Sequence, residues 1–180
     1  MTNPAKLYAS PNKAIDDAIR AVRGDAAARA GIETRLARIL RSDAPRAAKD
    51  FACRRLSRHG SAASAPALAA LLEDEGLSHM ARYALERLPC PEAAAALREA
   101  LSRTKGKVRV GVIRSLGARR DLESVARLAE LLSDPDPGAV GAAAAALGQI
   151  GTTEAAKALA EKVPEGLRPH VADARLECAE

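Results

Sequence analysis

Residues able to do chemistry are few in this chain and stand far apart. Its three histidines, His59, His79 and His170, are followed by Gly60, Met80 and Val171. None begins a His-Glu pair or is set with cysteines at zinc-ligand spacing, so no metal site is expected. The cysteines, Cys53, Cys90 and Cys178, are odd in number and contain no CxxC, which argues against a disulfide scaffold and for a reducing compartment. Cys53 precedes Arg54 and Arg55, and such cations could lower a thiol pKa. No His or carboxylate is placed to act as its base, so it reads as a structural thiol. The expectation is a non-enzymatic protein with no catalytic residue, no cofactor and a cytoplasmic location.

Charge is the remaining chemical resource. The 180 residues carry 28 Lys+Arg against 23 Asp+Glu, a net charge of +5. The net charge is +7 over residues 1–60, +3 over 61–121 and −5 over 122–180. An elongated fold would turn this gradient into a basic N-terminal end and an acidic C-terminal end. Three readings follow: engagement of an acidic partner, head-to-tail self-association, or charge that serves solubility. Arg46, Lys49, Arg54, Arg55 and Arg58 fall on one helix, which admits phosphate-backbone binding to nucleic acid. The aromatic among them, Phe51, reads as core, leaving no platform for base stacking.

The elements that position these residues are helical. The chain is 48% hydrophobic and 2% aromatic, with 43 Ala, 21 Leu and no Trp, a balance that disfavours β folds and disorder. Aligning it with itself at a shift of 31 superposes ALERLPCPEA (84–93), SLGARRDLES (115–124) and ALGQIGTTEA (146–155). Leu85, Leu116 and Leu147 then share a column, as do Glu92, Glu123 and Glu154, and Leu97, Leu128 and Leu159. Leu56 and Leu68 continue two of these columns upstream, with a small slip in register. A period of this size marks a solenoid, whose units bury their apolar faces only against neighbours.

Within each unit the apolar spacing of i, i+3, i+4 and i+7 gives two antiparallel helices. Asp121 and Thr152 are expected N-caps and Pro91 a first helical residue. The fold expected is an all-α, right-handed solenoid in one domain. Its helix pairs fall near 26–58, 64–88, 91–117, 121–150 and 152–178, after an N-terminal helix near 12–23. The last helix, 167–180, ends without a Gly/Pro terminator or polar cap. This leaves open an array that continues further, end-to-end association, or a short array that tolerates an open end. No apolar leader and no run of about 18 apolar residues is present, so no membrane span is expected.

The stretch DPDPGAVGAAAAALGQIGTTEAAKALAE (134–161) resembles the short HEAT-like repeat of bacterial arrays related to phycobilisome lyases. The resemblance extends to 107–133 and 77–104. Gly141 and Ala142 stand where that family carries paired basic residues. The resemblance implies that the second helix of each pair lines a concave face. Taking Leu56, Leu85, Leu116 and Leu147 as position 0, the core falls near −8, −4, −1 and +3. Position −2 (Arg54, Tyr83, Arg114, Ala145) and position −6 (Asp50, His79, Val110, Gly141) point away from it. Asp50, Arg54, His79, Tyr83 and Arg114 are therefore the expected partner-binding residues of a protein-interaction scaffold, since Tyr and Arg commonly anchor interfaces. An accessory lyase-type domain is the alternative that the resemblance suggests, although nothing identifies a bilin pocket. The DNA glycosylases and metal hydroxylases built on such repeats need aromatic, carboxylate or His-Glu groups that this chain does not set together. His59, in the +3 column with Leu88, is expected to be partly buried.

Overall fold

The structure is a computed structural model that describes residues 17–19, 21 and 25–162. Of the helix expected near 12–23, only 17–19 and 21 are described, all helical. The part of the last pair beyond 162, with His170 and Cys178, lies outside the described residues.

Among the described residues, nine α-helices follow from residue 26 onward: α1 (Ala26–Arg41), α2 (Arg46–His59), α3 (Ala65–Ala69), α4 (Ser78–Arg87), α5 (Pro91–Arg103), α6 (Gly106–Ala118), α7 (Val125–Glu130), α8 (Pro137–Ile150) and α9 (Thr153–Lys162). Within each pair α1 packs on α2, α3 on α4, α5 on α6 and α7 on α8. Between pairs the second helices α2, α4, α6 and α8 pack successively side by side, and the first helices α1, α3 and α5 do likewise. The described residues form an all-α solenoid.

Two leucine ladders hold the layers together. Leu56, Leu85, Leu116 and Leu147 are 0% exposed, as are Leu68, Leu97, Leu128 and Leu159. Full burial of each such side chain contributes on the order of 1.5–3 kcal/mol. The first helices α3 and α7 are short because the chain tightens around their leucines. Leu131–Ser133 is a 3-10 turn in which Leu131 and Leu132 are both buried. In the α3 unit, Leu71 and Leu72 donate to the carbonyls of Leu68 and Ala69, with the same result.

Helix ends are fixed locally. Pro91 and Pro137 open α5 and α8, where a missing N–H does no harm. The Asp25 carboxylate accepts from Ala28 N at 3.0 Å and Thr152 Oγ1 accepts from Ala155 N at 3.1 Å. Asp121 does not cap as expected. Its Oδ1 instead accepts from Arg98 Nη1 on α5 at 2.6 Å, an ion pair across the unit that outcompetes the local N–H groups. His59 is likewise corrected: it is exposed, because Leu88 packs over the Gly60 backbone just beyond it, 3.1 Å from where a Cβ would stand. α8 ends at Gly151 with φ 70. The residue one period earlier, Arg120, adopts φ 51, a left-handed conformation costing roughly 1–2 kcal/mol for a side chain with a Cβ.

Between units, polar side chains bond to neighbouring repeats. Glu33 on α1 accepts from Ser61 N at 2.7 Å, from Ser61 Oγ at 2.9 Å and from Ser64 Oγ. Arg119 occupies the +3 column, where the flanking units have Leu88 and Ile150. Its Nη1 donates to the carbonyls of Leu85, Glu86 and Leu88 at 2.5, 3.2 and 2.8 Å, and its Nη2 to that of Cys90 at 3.2 Å. These carbonyls lie at and beyond the end of α4, where the N–H groups of the helix run out. The alanine-rich α8 is buried over Ala142, Ala143, Ala144, Ala146, Leu147 and Gly148. A Cβ on Gly117 would lie 2.7 Å from Ala146 Cα and 2.8 Å from Ala146 Cβ. The small side chains here let α6 and α8 meet nearly backbone to backbone.

Candidate functional site

The outward side of the second-helix row is the surface on which the candidate residues stand. At position −2, Arg54, Arg114 and Ala145 are exposed and Tyr83 is half-buried; at position −6, His79 and Gly141 are exposed, while Asp50 and Val110 are half-buried. Helical spacing places both columns on the side of each helix opposite its leucine ladder.

The structure brings some of these residues together and not others. His79 and Arg114 line one open depression of about 720 Å³ with Arg82, Lys107, Val110 and Gly111, rimmed by Gly106, Asp136 and Gly138. α4 supplies His79 and Arg82, α6 supplies Lys107, Val110, Gly111 and Arg114, and the capping turn of α8 supplies Asp136. Asp50, Arg54 and Tyr83 do not line it. Asp50 sits 3.9 Å from Arg46 Nε one turn earlier on α2. Tyr83 has the Arg87 guanidinium stacked over its ring, 3.7 Å from the centroid, while Arg87 also donates to the Tyr83 carbonyl at 3.1 Å.

Arg82 was not evident as a site residue in the sequence. It lies in the column of Cys53, Ile113 and Ala144, all fully buried, and its half-buried side chain crosses to α6. There Nη1 donates to the Gly111 carbonyl at 3.0 Å and approaches Ser115 Oγ at 3.4 Å. Ser115 Oγ in turn donates to Glu86 Oε1 at 2.7 Å. A Cβ on Gly111 would overlap the guanidinium, so that glycine is the seat on which Arg82 rests. Burial pulls the Arg82 pKa below the ordinary arginine value; the Glu86 carboxylate opposes this and Arg114 adds to it. The signal that could have found it was an arginine one period before a core isoleucine.

Ion pairs engage some cations of each layer, among them Arg46, Arg87 and Arg109 on the second helices. On the first-helix side Arg98 pairs with Asp121 and Glu123, Arg103 with Glu73 and Glu99, and Arg127 with Glu130. On the second-helix side no ion pair among the described residues engages Arg54, Lys107 or Arg114. The two aromatic rings of the described residues are both covered by an arginine of their own helix, Tyr83 by Arg87 and Phe51 by Arg55, the latter at 4.8 Å.

Cys53, on α2, is not an activated thiol. Cys53 is 0% exposed, and burial, with the nearby Asp50 charge, pushes its thiol up to about 12. Its folded pKa exceeds the ordinary 9.0, so the fold favours the protonated form. That stabilisation is whole below pH 9 and is lost as pH rises from about 9 toward 12. At pH 8 we expect iodoacetamide to modify half-buried Cys90 at least tenfold faster than Cys53, measured by peptide mass spectrometry of the native protein. Equal rates would contradict the burial of Cys53. No group of three or more His, Cys, Asp or Glu among the described residues could hold a metal ion, and no described helix is long and apolar enough to cross a membrane.

Paired helices stacked at a period near 31, with an exposed second-helix face, define a class of helical-repeat array built on short two-helix units. Residues 94–174 match the HEAT repeats family and residues 79–103 match the PBS lyase HEAT-like repeat. The chain is a HEAT-repeat protein of the phycobilisome-lyase-related type. No curated protein matches it. HEAT repeats generally mediate protein interactions, and the family is typically non-catalytic.

Proposed function

We propose that this array is a non-catalytic scaffold that binds a protein or peptide partner along its second-helix face, taken as the concave side of the solenoid. One observation carries the reading: on this face Arg54, Lys107 and Arg114 are exposed and have no carboxylate partner among the described residues, while Arg46, Arg87 and Arg109 of the same helices are ion-paired. Exposed guanidinium groups without a carboxylate, beside a half-buried tyrosine, are the groups that anchor interfaces. The covered rings of Tyr83 and Phe51 speak against stacking of nucleic-acid bases. A cytoplasmic setting goes with this reading, since Cys53 and Cys90 are both free thiols.

The test is site-specific photo-crosslinking in host cells with a photoreactive phenylalanine at Ala145, exposed on α8, or at Ala95, exposed on α5. Protease-sensitive adducts are expected from position 145 and not from 95, and Arg54, Tyr83 and Arg114 changed together to Ala should reduce them at least tenfold. Adducts formed equally from both positions, or only nuclease-sensitive ones, would overturn the proposal.

A further inference from the structure

We infer that the depression between α4 and α6 takes an acidic segment of a protein partner, with two carboxylates set about two helical turns apart, roughly 10 Å. This rests on the scaffold reading and specifies the chemistry of its partner. The depression holds three permanent cations, Arg82, Lys107 and Arg114, together with His79, against the single carboxylate of Asp136. Asp136 is already engaged, because its Oδ1 accepts from Gly138 N at 2.9 Å as the cap of α8.

The cations differ in role. Arg82 is fixed by the Gly111 carbonyl and by the absence of a Cβ at Gly111, so it sets the potential of the floor without reaching out. Lys107 and Arg114 are exposed and have no ion pair among the described residues, and they stand two turns apart on α6. Two helical turns separate them by roughly 10.5 Å along the axis. A partner segment in polyproline II conformation repeats its side-chain direction every third residue, about 9.3 Å on. Two acidic residues with two residues between them therefore match this pair of cations. A guanidinium and an ammonium facing carboxylates form charge-assisted hydrogen bonds of about twice the neutral strength.

Locality separates this from a nucleic-acid track. One period further on, Lys107 and Arg114 are replaced by Gly138 and Ala145, so α8 adds no cation to the face. Asp136 and Asp50 also interrupt it on either side. A polyphosphate backbone needs many neutralised charges in a row, and here the two exposed arms of the depression, Lys107 and Arg114, belong to one helix.

The experiment is a titration of the isotopically labelled full chain with octaglutamate at low salt, followed by amide chemical shifts. Shifts are expected to centre on residues 79–82 and 106–114. Changing Lys107 and Arg114 together to Gln should weaken binding at least tenfold. The double change Arg29→Gln with Lys157→Gln removes the same charge from α1 and α9 and should leave it within about twofold. A peptide whose glutamates have two residues between them should bind more tightly than its isomer with adjacent glutamates. Shifts centred on α2, an unaffected Lys107/Arg114 variant, no spacing preference, or tighter binding of a short DNA duplex at the same salt would each overturn the inference. Protein adducts from position 145 that persist in the Lys107/Arg114 variant would sink it while leaving the scaffold reading standing. Loss of protein adducts from every face would remove both.

Discussion

Arg119→Ala is expected to destabilise the array by about 3 kcal/mol, among the largest effects of any single side-chain truncation outside the leucine ladders. The guanidinium donates to four carbonyls, those of Leu85, Glu86, Leu88 and Cys90. These carbonyls lie where α4 ends and the chain turns into α5. Pro89, which would follow the helix to the Leu85 carbonyl, has no N–H to give, and Cys90 N turns instead to the Leu88 carbonyl at 2.9 Å. Leaving a buried acceptor unmade costs roughly 1–3 kcal/mol. Water can enter part of the site, because Arg119 is only half-buried, which keeps the total near the value for one or two lost bonds rather than four. At this chain length 1 kcal/mol corresponds to about 2–4 °C in Tm, so a fall of about 6–12 °C should be seen by circular dichroism.

Arg119→Lys should recover little of that loss. An ammonium is a point donor without the planar fork that reaches acceptors on two sides of the turn. Full recovery by Lys would mean that charge near the end of α4 matters and the bond geometry does not. Arg119→Leu is a sharper probe, since Leu88 and Ile150 show that the +3 column accepts an aliphatic side chain. If Leu restored stability, Arg119 would be replaceable packing and the four bonds would contribute nothing net.

Arg119 also shows what could be read from sequence and what could not. Leucine columns that recur once per unit predicted helix pairs and a solenoid because each such leucine answers to one local rule, burial against the next unit, and that rule repeats. Arg119 and Arg82 break it. Each sits in a column that is apolar in other units, and each is accommodated by partners that leave no mark in a periodic alignment: carbonyls of the preceding unit for Arg119, a glycine of the following unit for Arg82. His59 failed for a related reason, since column membership was right but the helix ends there, and Leu88 found Gly60 instead. Asp121 occupied a capping position, yet Arg98 from the preceding unit claimed its carboxylate. On the candidate face, helical spacing placed His79 and Arg114 outward, whereas their companionship with Arg82 and Lys107 depends on how α4 and α6 lie against each other. Local pattern carried the architecture; the site came from contacts between units.

Gly117 gives the second large effect, through two opposed contributions. Gly117 is the next-to-last residue of α6, where replacing glycine by alanine gains at most the roughly 0.8–1 kcal/mol of helix propensity found in a helix interior. At this position the new Cβ would stand 2.7 Å from Ala146 Cα, 2.8 Å from Ala146 Cβ and 2.7 Å from Gln149 Oε1. The glutamine oxygen ends a flexible side chain and can move aside, but the α carbon of Ala146 is backbone in the middle of α8. α6 and α8 must then separate, and overpacking of this kind costs typically about 1–3 kcal/mol. Gly117→Ala should therefore be destabilising by up to about 2 kcal/mol despite the propensity gain, and Gly117→Val, which adds two methyls and a β-branch, by about 3 kcal/mol or more. Adding Ala146→Gly to Gly117→Ala relieves the clash with the Ala146 methyl but not that with its backbone, so rescue should be partial. A double-mutant cycle should then return a coupling of about 0.5 kcal/mol or more between the two positions. Urea denaturation followed by circular dichroism measures all four variants, including the Ala146→Gly single change that the cycle requires. A stabilised Gly117→Ala variant would show that the two helices do not meet at this point, and the tight α6–α8 interface would have to be abandoned.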